Sequence, residues 1–262
     1  MRLEGTVLIV TGSATGVGAA CAERAARDGA RVVINYSRSE EEARATEARC
    51  KTLGAETLVV RADVSSDVAC RDVVTRALQK WGRIDALVNN AATTKAADPS
   101  DLALLSAEDF QRVYAVNLIG AYQMARAVTA TMRKQGRGAI VNVSSNVAFT
   151  GGGSSLAYLA SKGALNALTL GLARALGPEI RVNAVCPGVI NTRWMRNAVG
   201  EEKYSRLEAR FRESSPMGRV AEPADVAELV IWLVSASEYL TGELIGIDGG
   251  IRLAARDRSG PS

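Results

Sequence analysis

No histidine occurs anywhere in the 262 residues. That absence removes Ser-His-Asp and Cys-His nucleophilic catalysis, HExxH zinc sites and imidazole acids. Acid–base work must then fall to Tyr, Lys, Asp, Glu or Cys. Aromatic residues make up only 5% of the chain, so the core rests on Ala, Val and Leu, which suits helices packed closely on a sheet. Cys21, Cys50, Cys70 and Cys186 form no CxxC pair; four lone thiols fit a reducing cytoplasm, and no metal site is expected. No apolar run reaches the ~18 residues of a membrane span without a charge or break. The opening MRLEGTVLIVTG enters a strand almost at once and leaves no room for a secretory leader. Net charge is +4 and the pI about 9.0, but Lys and Arg are scattered among acids. Without a basic block, no nucleic-acid partner is expected.

What is present is a regular alternation. TVLIV (6–10) is a short, wholly apolar strand of the kind buried on both faces of a parallel sheet. It runs into TGSATGVG (11–18) and then a helical AACAERAARDG. Strand, glycine turn, helix is the context of a dinucleotide loop: Gly12, Gly16 and Gly18 let backbone approach a pyrophosphate, and the helix N-terminus offers free N–H groups. The spacing is G-x-x-x-G-x-G rather than G-x-G-x-x-G, and a plain β–α turn is the alternative.

The second strand, 31–35, ends in Asn35-Tyr36-Ser37-Arg38-Ser39. An acid at this place would bond the adenosine ribose. None is present at 35–39, whereas Ser37 and Arg38 could hold a 2′-phosphate, which points to NADP over NAD. Strand 58–62 closes on Asp63-Val64, where Asp63 either meets an adenine amino group or caps the next helix, 67–81. Strand 84–89 leads to Asn90-Ala91-Ala92, whose paired amides (Asn89, Asn90) read as ties between strands. One long helix is expected over 107–134, with Asn117 in its middle either as a satisfied core amide or as the holder of a water leading toward Lys162. Strand 139–144 delivers Ser145, and strand 181–186 leads into PGVINT (187–192), whose N–H groups and Thr192 hydroxyl could clasp a nicotinamide amide. Residues 193–215 read as a mobile substrate lid or an ordinary surface helix pair. A helix over 223–236, a last strand over 244–247 and a short basic tail (252–262, with Arg252, Arg256 and Arg258) complete the chain. No linker or repeat divides it. One α/β domain over 1–262 follows, with a right-handed, mostly parallel, doubly wound sheet.

The chemistry centres on SNVAFTGGGSSLAYLASK (145–162). Tyr158 and Lys162 fall one turn apart on one face of a helix. A phenol titrates near ~10, and a cation one turn away should favour the phenolate and bring it toward the working range. Ser145, brought across the glycine bend, could hydrogen-bond the same substrate oxygen. By itself the pair is equally a packed Tyr and a solvated Lys.

Taken together, TGSATGVG, DV (63–64), NNAA (89–92), Asn117, Ser145, YLASK (158–162), PGVINT and LTGELIGIDGG (240–250) resemble the classical short-chain dehydrogenase/reductases, of the ketoacyl-reductase-like kind. The resemblance covers nearly the whole chain in order and spacing. It implies a Rossmann-type seven-stranded sheet with helices on both faces, NAD(P)(H) as cofactor and commonly a homotetramer. It also implies roles: Tyr158 the general acid in reduction, Lys162 the binder of nicotinamide ribose and lowerer of the phenol's pKa, Ser145 (rather than Ser144) the polariser of the carbonyl, Asn117 the holder of a relay water. The cofactor-binding set it implies is Gly12, Ser13, Thr15, Gly16, Val17 and Gly18; Tyr36, Ser37 and Arg38; Asp63 and Val64; Asn90, Ala91 and Ala92; Tyr158 and Lys162; and Pro187, Gly188, Val189, Ile190 and Thr192. Ala92 stands where the family's NNAG has glycine, and the loop 13–15 lacks the basic residue of many NADP-dependent members. The substrate is a small carbonyl or alcohol, with Leu156, Val189, Trp194 and Met195 offering an apolar wall. A silent nucleotide-binding scaffold and an epimerase or dehydratase are the rival readings; a complete set of four catalytic groups argues against the first, chain length and glycine spacing against the second.

Overall fold

A computed structural model describes residues 2–253; Arg256 and Arg258 of the basic tail lie outside them. Seven strands, β1 (Val7–Val10), β2 (Arg31–Tyr36), β3 (Thr57–Arg61), β4 (Ala86–Asn89), β5 (Gly138–Val143), β6 (Ile180–Pro187) and β7 (Leu244–Ile247), form one sheet in the order β3-β2-β1-β4-β5-β6-β7. Every neighbouring pair is parallel, from Val7 beside Arg31 to Pro187 beside Ile247. The expected "mostly parallel" sheet is therefore wholly so. β1 shows why its sequence is apolar throughout: Leu8 and Val10 enter one core, Val7 and Ile9 the other, and all four are fully buried.

The first core is closed by α1 (Gly16–Arg27) and α10 (Pro223–Ser235), through Cys21, Ala22 and Ala25 on one and Val230 and Ile231 on the other. The opposite core is closed by α3 (Asp67–Trp81), α5 (Ala121–Lys134) and α7 (Leu156–Leu176). Local chemistry sets the ends. Ser66 accepts the Ala69 N–H to start α3, and Gly82 in the left-handed region (φ +69°) ends it. Glu222 and Asp225 form a capping box on α10, with Pro223 in its first turn.

The expected single helix over 107–134 is divided. α4 (Ala107–Tyr114) runs into a wide π-type stretch, Ala115–Gly120, before α5 resumes. Its cause is a pair of side contacts that a regular helix does not accommodate. The Asn117 amide is pulled onto Thr93 and Ser161, and Gly120 lies so close to Val64 that a Cβ there would come within 2.7 Å of its Cγ2. Chain order reverses between β1 and β4, and Thr11 staples that point: its hydroxyl oxygen accepts the Asn90 and Ala91 N–H groups at 2.9 and 3.0 Å.

Candidate active site

A cleft of about 1170 Å³ opens along the carboxyl edge of the sheet, where ligands settle in such folds. The turns after β1, β2, β3, β4, β5 and β6 all reach it, through Gly12, Tyr36, Asp63, Asn90, Ser145 and Pro187. At its β1 end, Gly12 (φ +61°) and Gly16 (φ +58°) hold left-handed backbone that other residues resist. A Cβ on Gly12 would come within 2.9 Å of Ala91 Cα, and one on Gly18 within 2.4 Å of Gly12 O. Gly16 differs: its Cβ would project into the cleft and stop 3.5 Å from Thr192. No side chain caps α1 and no acid lies in its first turn. A glycine cradle beneath uncapped N–H groups fits the phosphates of a dinucleotide.

Ser13 and Gly18 do not line the cleft. Ser13 is buried, its hydroxyl donating to Val10 O at 2.8 Å and accepting the Asn35 N–H at 3.0 Å; it holds the loop rather than facing a ligand. Asn35 is a residue that sequence reading missed. Its Oδ1 accepts the Gly12 N–H at 3.1 Å while its Nδ2 donates to Val60 and Ala62 carbonyls, fixing the glycine loop to β3. The signal was a polar side chain at the end of an otherwise apolar strand. Asp63 is not the cap of α3, a place Ser66 takes; it lines the cleft, with one oxygen accepting from Ser65 N–H and hydroxyl at 2.9 and 2.8 Å. Asn89 and Asn90 do tie strands. Asn89 donates to Asn142 and Ala121, and Asn90 to Thr11 and Gly12 carbonyls.

At the β5 end the structure brings Ser145, Tyr158 and Lys162 together on the cleft wall. Ser155 starts α7 by accepting the Tyr158 N–H at 3.2 Å, so the tyrosine backbone is fixed in the helix's first turn. Lys162 is buried, and its ammonium donates to Val143 O at 2.7 Å and sits 5.6 Å from the Tyr158 ring centre. Ser145 bonds the phenol, whereas the Ser144 hydroxyl is committed to Lys162 O at 3.2 Å. Asn117 lies behind this wall and does not line the cleft. Its Oδ1 accepts from Thr93 N, and its Nδ2 donates to Thr93 O and to Ser161 Oγ, which in turn donates to Tyr158 O. The amide is thus a satisfied core group linked to the tyrosine's helix.

One electrostatic expectation is reversed. Burial pushes the Tyr158 phenol up to about 12, opposed by the bond from Ser145. Burial also pulls the Lys162 ammonium down to about 8. The lysine does not bring the phenol toward neutral pH here, because losing water disfavours both charged forms. At pH 7 the phenol keeps its proton and the lysine is still largely cationic. Trp194 flanks the phenol, its ring centre 6.0 Å from the tyrosine's. Trp194 belongs to α8 (Arg193–Val199), which with α9 (Glu201–Ser214) borders the cleft. Thr192 starts α8 by accepting the Met195 N–H at 3.2 Å. Val189, Trp194 and Met195 form the expected apolar wall; Leu156 does not line it.

The comparisons with known proteins converge on this arrangement. Residues 12–252 match the family model described as "Enoyl-(Acyl carrier protein) reductase". The 3-oxoacyl-[acyl-carrier-protein] reductase of Thermotoga maritima is 38% identical over 96% of this chain and 99% of its own length. The L-rhamnose 1-dehydrogenase (NAD(P)(+)) of a Sphingomonas species is 36% identical over 95% and 97%. Among solved structures, levodione reductase superposes with a TM-score of 0.89 at 31% identity, over 95% of this chain and 98% of that one. The chain belongs to the short-chain dehydrogenase/reductase family. It is accordingly an oxidoreductase of the CH–OH/C=O pair, in a family that works with NAD(P)(H). No helix among the described residues is long and apolar enough to cross a membrane. Within this short-chain dehydrogenase/reductase the carboxyl ends of β1 to β6 supply the turns along one side of the cleft, and α8 and α9 contribute part of the opposite wall.

Proposed function

We propose that this protein is an NADPH-preferring ketoreductase, acting on 3-oxoacyl or related ketones through Ser145, Tyr158, Lys162 and Asn117. The observation that carries it is the meeting of Ser145 and the Tyr158 phenol on the cleft wall beside the buried Lys162 ammonium. When bound, a nicotinamide dinucleotide supplies the hydride. The chain's part is orientation and the proton. A phenol kept protonated at neutral pH is in the form an acid needs, and its proton goes to the carbonyl oxygen as that oxygen gains charge. The Ser145 hydroxyl stabilises the same oxygen, an interaction stronger in the transition state than in the ground-state ketone. Lys162 places a positive charge beside the phenol that loses its proton. Asn117, through Ser161, keeps the first turn of α7 in register, and a water held near it would return the proton.

The NADPH preference is supported at the β2 end. Ser37 and Arg38 line the cleft, no acid occupies 35–39, and Arg38 has no ion-pair partner among the described residues. The loop 13–15 without a basic residue supports the second reading, an NAD-dependent alcohol or sugar dehydrogenase. A cytoplasmic homotetramer with α8 and α9 acting as a mobile lid completes the proposal. It draws support from four buried free thiols, an edge strand β7 only partly buried and Trp232 of α10 45% exposed. The test is to titrate both cofactors by nicotinamide fluorescence and then follow absorbance with a panel of ketones and alcohols. Arg38→Ala should weaken NADPH about tenfold or more while NADH changes little. Equal loss for both would remove the 2′-phosphate reading.

A further inference from the structure

The side of α9 that borders the cleft presents Lys203, Leu207, Arg210 and Phe211, at the spacing of one helix face. Two apolar side chains therefore alternate with two cations. Three of the four acids of α9 are paired elsewhere: Glu202 with Arg206, Glu208 with Arg212, and Glu201 with Arg196 of α8. The fourth, Glu213, does not line the cleft and forms no ion pair with Arg210. Arg210 has no ion-pair or hydrogen-bond partner among the described residues. Lys203 faces one carboxylate, Asp98, whose charge is held first by the Ser100 N–H and hydroxyl at 2.9 and 2.7 Å. Among the described residues the charged lining of the cleft is Arg38, Arg112, Lys162, Lys203 and Arg210 against the acid Asp63. Arg112 shares its partner Asp109 with Lys95, so that cluster is also net positive.

An unopposed guanidinium and an ammonium on an otherwise apolar face select a ligand that is apolar along its body and negative at its end. We infer that the substrate is a carbonyl compound carrying an anionic terminus, a carboxylate or a phosphate, received by Arg210 and Lys203. This rests on the ketoreductase reading and narrows its substrate class. Arg38, at the far end of the cleft, is left for the cofactor.

The experiment uses the full chain with saturating NADPH and matched probes: (ω−1)-keto acids of increasing length, their methyl esters and the corresponding ketoalkyl phosphates. At low salt the acid or the phosphate should exceed its neutral ester in kcat/KM by about tenfold, through KM more than kcat. The ratio should fall as salt rises and the exposed charges are screened. Whichever anion shows the larger ratio identifies the terminus. Arg210→Ala and Lys203→Ala together should bring the ratio toward one, while Arg210→Lys restores part of it. A ratio near one in the wild type, with turnover intact, would overturn the anionic terminus and leave the ketoreductase standing. So would an unchanged ratio in the double variant, or an effect confined to the KM of NADPH. Should the double variant fail to fold, the salt dependence of the wild-type ratio decides. Absence of turnover with every carbonyl and both nicotinamides would instead remove the ketoreductase reading beneath it.

Discussion

The two ends of the cleft are built from different materials. Toward β1 the wall is mostly backbone: glycines in left-handed conformations, strand-end turns, and amides from buried Asn35 and half-buried Asn90 that fix those turns to their neighbours. Toward α8 and α9 it is side chains on two short helices, which meet the body through few bonds such as Arg193 to Glu42 at 2.5 Å. A backbone wall admits little variation, because Gly12 and Gly18 sit at approaches that no Cβ survives and Gly16 holds left-handed backbone. A side-chain wall is easily varied, because an exposed residue on a surface helix is exchanged at little cost to folding. Such a division fits relatives named for a 3-oxoacyl-[acyl-carrier-protein], for L-rhamnose and for levodione sharing one fold.

Perturbing each end should show the contrast. The largest loss is expected from Gly18→Ala, since the new Cβ would lie 2.4 Å from Gly12 O and 2.5 Å from Asn90 Nδ2. Overpacking of this kind costs about 1–3 kcal/mol, and it distorts the glycine loop directly. Cofactor binding by calorimetry should become undetectable and the melting temperature should drop; retained binding would show the loop to be more pliant than its contacts imply.

Next in size is a pH effect. Lys162 is pulled down to about 8, so its charge is present below that value and lost as pH rises through it. Tyr158, pushed up to about 12, keeps its proton throughout. Ketone reduction should therefore decline as pH rises through about 8, while alcohol oxidation, which needs the phenolate, should rise only in the far more alkaline range where the phenol titrates. Parallel kcat/KM profiles in the two directions would contradict this. The smallest effect belongs to the side-chain end. Trp194→Ala wets the phenol and should lower its pKa, moving the alkaline limb of oxidation to lower pH and changing KM a few-fold, with cofactor affinity little altered. A collapse of cofactor binding instead would mean that α8 belongs to the rigid half.

The same contrast governs what the sequence disclosed. Apolar strands such as TVLIV, and glycines at turn positions, report obligations of the backbone, so the seven strands and the turns at their carboxyl ends were legible within a residue or two. Asn35 was not, because its value lies in partners distant in sequence, in the turn after β1 and at the end of β3. The break at Ala115–Gly120 was hidden for a similar reason: helix periodicity runs through it unchanged, and only contacts with Thr93, Ser161 and Val64 impose the wide turn. Tyr158 and Lys162 were visible as an i, i+4 pair, but spacing does not carry dielectric. Burial reversed the direction in which the phenol was expected to shift.

The account stands most directly on Tyr158→Phe. That change removes one oxygen, keeps the ring against Trp194, and spares the glycine loop. Turnover of any accepted ketone should fall by about 10²–10⁴-fold, the usual worth of a general acid, with NADPH and NADH binding within a factor of about two of the wild type. Full activity in that variant would take the proton away from the phenol and contradict the account at its centre.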